Sequence, residues 1–346
     1  MAIRVGLVGY GMAGSVFHAP LITSVEGLTL AAVVSSNAAK VQPDYPNVDV
    51  VPTLAELLAR NDIELVVIAT PNGTHYEFAR QSLAAGKHVV VDKPFTIHTS
   101  EAEELIDLAQ SKHVMLSVFQ NRRWDNDFLT IRALLETGLL GELSTYEAHY
   151  DRFRPVVRNR WREQALPGSG MLYDLGAHLI DQALVLFGTP ETVWADVRAQ
   201  RPGAVTDDYF HIVLTYPQKQ TVILHSGSIV RELPPHFQLH GSKGSYIKYG
   251  IDSQEDALKA GKRPGASDWG QDDVMQYGTL TIDVGGITID GKVPTLPGHY
   301  ETFYQGMVEA LTQGKPAPVN PQDARNTIRV IECALQGSKE QRAIPF

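Results

Sequence analysis

The first 120 residues alternate between two hydrophobic periods, and this alternation restricts the fold more than any other feature of the sequence. Short apolar runs rich in β-branched residues predict strands that are buried on both faces. These runs are IRVGLVG (3–9), LTLAAVVS (28–35), LVVIAT (65–70), HVVVDK (88–93) and VMLSVF (114–119). Helical patterns lie between them, at about 14–24, 53–60, 73–85 and 98–111. Buried strands that alternate with helices form a parallel, doubly wound sheet, so we predict an α/β domain over residues 1–121.

The pattern changes after Gln120, and residues 122–346 predict a second domain of the α+β class with a large, mostly antiparallel open sheet. A chain of 346 residues is longer than one hydrophobic core usually supports, which agrees with two domains. Within the second domain, residues 252–276 are polar and rich in turn formers, and we expect a long loop there. Its strand-like runs lie at 144–153, 191–200, 208–216, 220–229, 236–241, 244–249, 278–283 and 287–290.

Composition excludes several classes of function. The formal net charge is −9, which disfavours binding to nucleic acid or to anionic membranes. No apolar run approaches the roughly 20 residues of a membrane span. The N-terminus lacks the layout of a signal peptide, and the single cysteine, Cys333, allows no internal disulfide. We therefore expect a cytoplasmic protein.

The first strand runs directly into Gly9-x-Gly11-x-x-Gly14, and a helix follows. The first glycine permits a tight turn, the second lets the backbone approach a pyrophosphate, and the third allows close packing of helix and sheet. The helix N-terminus attracts the anion. Three glycines in a loop are common, but after a strand and before a helix they favour a dinucleotide site over a plain turn.

The second strand ends without the acidic residue that would bind the ribose 2′-hydroxyl of NAD and repel a 2′-phosphate. It offers Ser35, Ser36, Asn37 and Lys40 instead. Without that carboxylate the site could accept the 2′-phosphate of NADP, and Lys40 could help to bind it. Alternatively, these are plain loop residues and Asn37 binds an NAD ribose, and the sequence leaves both possibilities open.

Two further strands end in polar residues at the edge where parallel sheets bind ligands. The ATPNGTH segment places Thr70, Pro71 and Asn72 there, and His75 is either a ligand or a capping or surface residue. The next strand ends in Asp92-Lys93-Pro94, and the proline stops the strand because it cannot donate to a ladder. Lysine is rarely buried without a partner, so its position at the tip of a core strand favours a functional role over an ordinary salt bridge. A lysine there can bond a substrate oxygen and lower the pKa of a hydroxyl group.

In the second domain, GSGMLYDLGAHLIDQALVLFG is apolar almost all round, which predicts a buried helix. Asp174 and His178 lie four residues apart and therefore share one face, which Asp181 and Gln182 extend. A polar stripe on a buried helix faces something polar, such as a substrate cleft. Histidine, with a pKa of about 6.5, is the natural general base near neutral pH. The alternative is an internal Asp–His pair, worth only about 0.2–0.5 kcal/mol, and the residues alone do not decide between the two.

The segment DRFRPVVRNRWREQALPGSG is basic and aromatic in an acidic chain. It is either a solvated loop that pairs with acids or a lid over a cofactor and substrate, in which Trp161 stacks and Arg162 donates hydrogen bonds. We favour the lid for Trp161 and Arg162 only. Asn121, at the end of the fifth strand, is a further candidate for holding a carboxamide or a substrate.

Together the glycine motif, ATPNGTH and the DKP of 92–94, a variant of Glu-Lys-Pro, resemble the Gfo/Idh/MocA family of NAD(P)-dependent oxidoreductases. The resemblance spans essentially the whole chain. FHAPLI, VVVDKPFT, NRRWD, DRFRP and YDLGAHLIDQA resemble a bacterial branch that includes scyllo-inositol dehydrogenases. The motifs are specific for the family and much less so for one substrate.

The resemblance implies a Rossmann domain followed by a substrate and oligomerisation domain, NAD or NADP as the cofactor, and no metal. It implies that Asp174 holds the substrate, that His178 is catalytic beside Lys93, and that Trp161 and Arg162 lie near the nicotinamide. We expect a hydride transfer between NAD(P) and a secondary alcohol of an inositol-like or sugar-like polyol. The residues predicted to bind the cofactor are Gly9, Tyr10, Gly11, Met12, Ala13, Gly14, Ser35, Ser36, Asn37, Lys40, Thr70, Pro71, Asn72, His75, Asp92, Lys93, Asn121, Trp161 and Arg162.

Two other functions remain open at this stage. The first is a non-catalytic NAD(P)-binding sensor, although such a protein has no need to keep Lys93, Asp174 and His178. The second is a hydrolase or lyase that oxidises its substrate only transiently and turns over without net formation of NADH. We also expect a homodimer or homotetramer, because the apolar strands HIVLTY and TVILHSGSIV would otherwise leave one face of the second sheet uncovered.

Overall fold

The computed structural model describes residues 2–346 and divides the chain into two compact units. The first unit comprises the residues up to Asn121 together with Gln254–Trp269 and His299–Arg325. The second comprises Arg122–Ser253, Gly270–Gly298 and Asn326–Phe346.

The first unit contains a parallel sheet of six strands in the order β3-β2-β1-β4-β5-β6. Its central strands are buried on both faces because every residue of β4 is apolar, as is most of β1 and β5. The strand order reverses between β1 and β4, the place where ligands bind in doubly wound sheets. This confirms the α/β prediction and adds one short strand, β3, that the sequence did not indicate. The strands are β1 Ile3–Val8, β2 Leu28–Val34, β3 Asp49–Val51, β4 Leu65–Ile68, β5 His88–Asp92 and β6 Leu116–Phe119.

The helices between these strands follow the predicted order. A π-helical segment, Ala13–His18, leads into the first of them. They are α1 Ala19–Ser24, α2 Leu54–Leu58, α3 His75–Ala84 and α4 Thr99–Ser111.

Two later segments of the chain belong to this first unit, so the unit departs from a single cut after residue 121. Helix α8, Glu301–Gln313, buries Phe303 and Tyr304. The Phe303 ring lies 5.0 Å from that of Phe119, and the Tyr304 hydroxyl is 2.6 Å from Nδ1 of His18. Apolar and aromatic side chains on α8 thus complete the core beside β6, a long-range contact that no local pattern reveals.

The predicted long loop at 252–276 is wrong in part. It contains helix α7, Gln254–Lys259, and a short 3₁₀ turn, Val274–Gln276. Gln254 is fully buried and its Oε1 accepts a hydrogen bond of 2.8 Å from the Tyr300 amide. The helix is held by this contact and by burial of Leu258 rather than by an apolar stripe of its own.

The second unit contains a mixed sheet of nine strands in the order β14-β13-β12-β11-β7-β10-β9-β8-β15. All neighbouring pairs are antiparallel except β7 with β10, which confirms the predicted class. Burial alternates along β9 and β10, so one face of the sheet is covered and the other is partly exposed. The strands are β7 Leu143–His149, β8 Thr192–Arg198, β9 Tyr209–Thr215, β10 Thr221–Gly227, β11 Phe237–Gly241, β12 Gly244–Lys248, β13 Gly278–Val284, β14 Ile287–Val293 and β15 Ile344–Pro345. The remaining helices are α5 Asn126–Glu136, α6 Ala177–Phe187 and α9 Pro321–Glu340.

Candidate active site

The glycine turn after β1 has the backbone geometry that its sequence predicts. Gly9 has φ of +98°, and a Cβ there would lie 2.7 Å from the carbonyl oxygen of Ala69. A Cβ on Gly14 would lie 2.2 Å from the carbonyl oxygen of Gly9. Nothing lies within 4 Å of the place where a Cβ of Gly11 would project. Two glycines are therefore required by close packing, and the middle one faces open space.

This geometry fits a dinucleotide. The open side of Gly11 provides the close backbone approach that a pyrophosphate needs, and the helix that follows presents its first amide groups there. Ala13 begins the π-helical segment, and Met12 beside it is half exposed. Tyr10 donates a hydrogen bond of 2.7 Å to Asp44 Oδ2, which fixes its ring beside the turn.

The end of β2 lies next to the glycine turn, since the Gly9 amide donates to the Val34 carbonyl at 3.1 Å. Asn37 caps a short 3₁₀ turn, and its Oδ1 accepts from the Ala39 amide at 3.0 Å. Ser35 is hydrogen-bonded to Asn37, whereas Ser36 and Lys40 are exposed. The segment from Ser35 to Lys40 contains no carboxylate, as the sequence indicates.

The turn after β4 is rigid. The hydroxyl groups of Thr70 and Thr74 are 2.6 Å apart, and the Thr74 hydroxyl also donates to the Pro71 carbonyl. Asn72 is buried in the 3₁₀ turn Asn72–Thr74, and Pro71 before it is exposed.

His75 is neither the surface residue that the sequence allowed nor a ligand with a free nitrogen. It is fully buried, and its two ring nitrogens each lie 2.8 Å from a backbone carbonyl oxygen, of Thr70 and of Pro94. Burial lowers the pKa of His75. The ring thus lies between the turn after β4 and the segment after β5, and its contribution to cofactor binding stays a prediction.

Lys93 lies where β5 ends, at the same edge of the parallel sheet as the glycine turn. It is half-buried, and its amide donates to Asp92 Oδ1 at 2.8 Å. The Lys93–Pro94 peptide bond is cis. Burial opposes the ionised form of Asp92, but the contact with His18 and the charge of Lys93 outweigh it and lower the pKa of Asp92. Asn121, at the exit of β6, is buried at the same edge.

In the second unit, the helix that carries Asp174 and His178 begins with a π-helical turn, Leu172–Gly176, before α6. The sequence predicted an uninterrupted α-helix. The Ala177 amide bonds back to the Leu172 carbonyl, five residues earlier, which widens the turn that holds Asp174. Such π-bulges are frequent at functional sites. Asp174 remains half-buried and His178, one turn later, is only 5% exposed.

The other half of the predicted polar stripe serves packing. Arg123 forms a two-bond ion pair with Asp181, with distances of 2.8 and 2.7 Å, and the Asp181 side chain is buried. Gln182 donates to the Arg122 carbonyl at 2.9 Å. Asp181 and Gln182 thus hold the turn that begins at Arg122, and the polar face available for a substrate shortens to Asp174 and His178.

A small cavity of about 30 Å³ lies beside Asp174 in the second unit. Arg162 borders it, with Nε 3.2 Å from Asp174 Oδ1 and its guanidinium stacked on the Trp161 ring at 4.9 Å. Trp161 and Arg162 form a short 3₁₀ turn with Glu163. The cavity is lined by Arg152, Arg154, Arg160, Arg162, Glu163, Gly170, Met171, Asp174, Arg201, Asp207, Asp208 and Ser228.

Asp207 is a residue of this site that the sequence reasoning missed. Its Oδ2 accepts the Leu172 amide at 2.7 Å, at the start of the π-helical turn. Gly170, with φ of +97°, must be glycine because a Cβ would lie 2.0 Å from Asp207 Oδ1. Burial raises the pKa of Asp207 to about 6. The sequence signal was a pair of acids, Asp207-Asp208, before a strand, which is too common to single out.

Comparison with known proteins identifies both parts of the chain. Residues 3–120 match the model of the Gfo/Idh/MocA oxidoreductase family described as an NAD-binding Rossmann fold. Residues 132–346 match the C-terminal alpha/beta domain of the same oxidoreductase family.

Several curated relatives are similar over nearly their full length. The uncharacterized oxidoreductase YdgJ of Escherichia coli K12 is 47% identical over 99% of this chain and 98% of that protein. The scyllo-inositol 2-dehydrogenase (NADP(+)) IolW of Bacillus subtilis 168 is 46% identical over 99% of this chain and 95% of its own length. Among solved structures, the putative oxidoreductase yvaA of Bacillus subtilis superimposes with a TM-score of 0.97 at 45% identity, covering 100% of this chain and 99% of that one. Over residues 2–346, no helix is both long and apolar enough to span a membrane.

Proposed function

Because the chain belongs to the Gfo/Idh/MocA family of NAD(P)-binding oxidoreductases, we propose that it is a dehydrogenase of secondary alcohols, with an inositol-like or sugar-like polyol as substrate. The observation that carries the proposal is the position of Lys93, a lysine at the tip of a core strand, at the sheet edge where the glycine turn lies. The similarity to a scyllo-inositol 2-dehydrogenase supports the choice of a polyol.

The proposed roles follow from side-chain chemistry. Lys93 hydrogen-bonds the reacting hydroxyl, and its positive charge favours loss of the proton. His178 accepts that proton, and Asp174 orients a neighbouring hydroxyl group. Lys93 is the alternative acceptor, since lysine and histidine both act as bases in buried sites. When NAD(P) is bound, it supplies acceptance of a hydride at the nicotinamide. In the reverse direction the same residues would protonate a ketone that is being reduced.

We propose NADP as the preferred cofactor. The segment after β2 lacks the carboxylate that would repel a 2′-phosphate, and Lys40 there is exposed. Substitution Lys40→Ala should raise KM for NADP about tenfold and leave KM for NAD unchanged, because only NADP carries the phosphate. An equal effect on both cofactors would argue against this role.

The central test is absorbance at 340 nm with the purified protein, NAD or NADP, and a panel of inositols and aldoses. Lys93→Met and His178→Ala should each lower kcat by roughly 10²–10⁴-fold, the range expected for loss of a positioned acid–base group. The matched control is Lys112→Met, since Lys112 is exposed at the end of α4. Thermal unfolding of each variant would separate lost chemistry from lost folding.

Two outcomes would redirect the assignment. Tight binding of NADP, without its reduction when any polyol or aldose of the panel is added, would favour a sensor. Conversion of a glycoside without net change at 340 nm would favour a hydrolase or lyase that recycles its cofactor. Turnover that survives in both Lys93→Met and His178→Ala would reject the proposed roles whatever the substrate.

We also propose a cytoplasmic homo-oligomer that assembles through the outer face of the second sheet. Trp194, Val213 and Ile223 are direct neighbours across β8, β9 and β10. Trp194 is 40% exposed, and the other two are half-buried. Light scattering should show a dimer or tetramer at micromolar concentration, and Val213→Glu should shift it towards the monomer. A wild-type monomer would remove this proposal.

A further inference from the structure

The cavity beside Asp174 holds more positive charge than its own carboxylates neutralise. Five arginines line it, against four carboxyl groups. One of those carboxyls, Asp207, has its pKa raised to about 6 by burial. Arginine stays protonated at any physiological pH. The imbalance is therefore permanent, and the next question is which arginines lack a partner.

Three of the five arginines are paired with acids. Arg201 is buried, and its Nε donates to Asp208 Oδ2 at 2.7 Å. Arg160 donates to Glu163 Oε1 at 2.7 Å, and Arg162 lies 3.2 Å from Asp174. These three pairs build the walls of the cavity.

Arg152 and Arg154 are different. Both are half-buried, and neither guanidinium forms a hydrogen bond or an ion pair with any of residues 2–346. Burial is the main influence on each and lowers the pKa of both. The charge of Asp174 opposes this at Arg152, whereas the charges of Arg160 and Arg158 add to it at Arg154. The adjacent acid, Asp151, is engaged elsewhere, with Oδ2 2.8 Å from His149 Nδ1 and Oδ1 accepting the Gly227 amide at 2.7 Å.

Placing two unpaired cations in one half-buried cavity costs free energy. An anion that accepts hydrogen bonds from both would offset that cost, and guanidinium groups match carboxylate and phosphate oxygens in geometry. The cavity is small, at about 30 Å³, and suits a compact substituent of a larger ligand. Because Asp174 lines the same cavity, a group seated there would belong to whatever Asp174 holds.

We propose that this cavity binds an anionic substituent, a carboxylate or a phosphate, carried by the polyol substrate, and that Arg152 and Arg154 are its binding residues. The inference rests on the proposed function, since it places Asp174 on the substrate. It narrows the substrate class from neutral polyols to sugar acids or polyol phosphates. Arg152 and Arg154 would then determine specificity without touching the reacting carbon.

The test compares neutral polyols with acidic ones in the same assay at 340 nm. The neutral arm contains scyllo-inositol, myo-inositol and glucose, and the acidic arm contains glucuronate, gluconate, an inositol monophosphate and glucose 6-phosphate. We expect a lower KM for a member of the acidic arm, and the carboxylates and phosphates within it identify which group is bound.

The variant Arg152→Gln should raise KM for the acidic substrate by about tenfold to a hundredfold, the usual cost of a lost charged hydrogen bond. Its kcat should change little, because a contact to a remote group binds substrate and transition state alike. Kinetics with neutral polyols should change much less, because they carry no anionic group for Arg152 to bind. Arg158→Gln is the matched control, since Arg158 is an exposed arginine of the same loop and does not line the cavity. Arg152→Lys, which keeps the charge, should restore part of the affinity.

Three results would overturn the proposal. One is an equal effect of Arg152→Gln on neutral and acidic polyols. Another is a preference for neutral polyols that Arg152→Gln leaves intact, which would refute the inference while the dehydrogenase stands. The third is a weaker dissociation constant for NADP in Arg152→Gln with unchanged substrate kinetics, which would assign the arginines to the cofactor phosphates.

A binding experiment that needs no turnover tests the anion site independently of the proposed dehydrogenase activity. Inorganic phosphate or acetate should raise the unfolding temperature of the wild type and of Arg158→Gln by more than that of Arg152→Gln, which keeps only the phosphate site proposed at the glycine turn. This result would support an anion site even if no polyol were oxidised. Absence of any difference between the variants would reject the site.

Discussion

Two clusters of buried charge in the second unit look alike in composition and differ in how their charges are paired. The first surrounds Lys248, which is fully buried, with Nζ 3.0 Å from Asp272 Oδ2 and donating to the Tyr249 carbonyl at 2.8 Å. The second is the arginine-lined cavity, where Arg152 and Arg154 face no carboxylate at hydrogen-bonding distance. A buried cation by itself therefore indicates neither a structural nor a functional role. Whether it is paired with a carboxylate distinguishes the two roles.

The carboxylates around Lys248 are bonded to neighbouring groups of the same unit. Asp272 Oδ1 accepts from Asn126 Nδ2 at 2.8 Å, and Asp252 accepts the Asn126 amide at 2.7 Å. Asp127 is fully buried beside them, and burial together with the charge of Asp252 raises its pKa. Lys248 therefore has a carboxylate partner within the unit, and the cluster joins α5 to β12.

The largest expected effect comes from breaking the paired cluster. Lys248→Met should lower the free energy of unfolding by about 3–5 kcal/mol, because it leaves buried carboxylates without their cation. Urea denaturation followed by circular dichroism measures this loss. Lys248→Met combined with Asp272→Asn should recover part of it, since the pair is then removed together. A loss below about 1 kcal/mol would show that water or protonation already compensates the cluster, and the contrast with Arg152 would fail.

The second prediction concerns Asp207, a half-buried carboxyl group that lines the arginine-lined cavity. Burial raises its pKa from 3.8 to about 6 in the folded protein. The folded state therefore keeps the proton that the unfolded chain loses, and stability falls as the pH rises from about 4 to about 6. Asp207→Asn should remove roughly 1–2 kcal/mol of this decrease, allowing for partial exposure. The measurement is the difference in unfolding free energy between wild type and variant at several pH values, which cancels the other carboxylates. Parallel curves would reject the raised pKa.

The first unit was largely predictable from sequence, for a physical reason. Strands of a parallel sheet are buried on both faces, so runs such as LVVI at 65–68 identify themselves, and the carboxyl edge then follows from topology. Gly9 and Lys93 could be placed at that edge without coordinates. The packing of α8 in this unit could not be predicted, because the contacting residues His18 and Tyr304 are 286 residues apart along the chain.

The second unit was predictable only in outline. Asp174 and His178 could be selected by spacing and family resemblance, but the π-helical turn that contains Asp174 has no sequence signature. Asp181 looked like part of the same polar face until its ion pair with Arg123 emerged. Pairing depends on contacts that are distant in sequence, so a polar residue in a buried helix identifies a candidate but not its role. The same limit applied to the basic segment, in which the sequence favoured Trp161 and Arg162 and passed over Arg152.

The smallest expected effect is on stability and comes from removing an unpaired arginine of the cavity. Arg152→Met should leave the free energy of unfolding within about 1 kcal/mol of the wild-type value, since relief of desolvation and of repulsion with Arg154 offsets the lost attraction to Asp174. Thermal unfolding at low ionic strength, where the repulsion is least screened, gives the most sensitive reading. Arg201→Met is the matched control and should be clearly destabilising, because Arg201 is buried and bonded to Asp208. If Arg152→Met destabilised the protein as much as Arg201→Met, Arg152 would be a structural cation like Lys248. Stability that is kept while anion binding is lost would instead show that the unpaired arginine is held ready for a ligand.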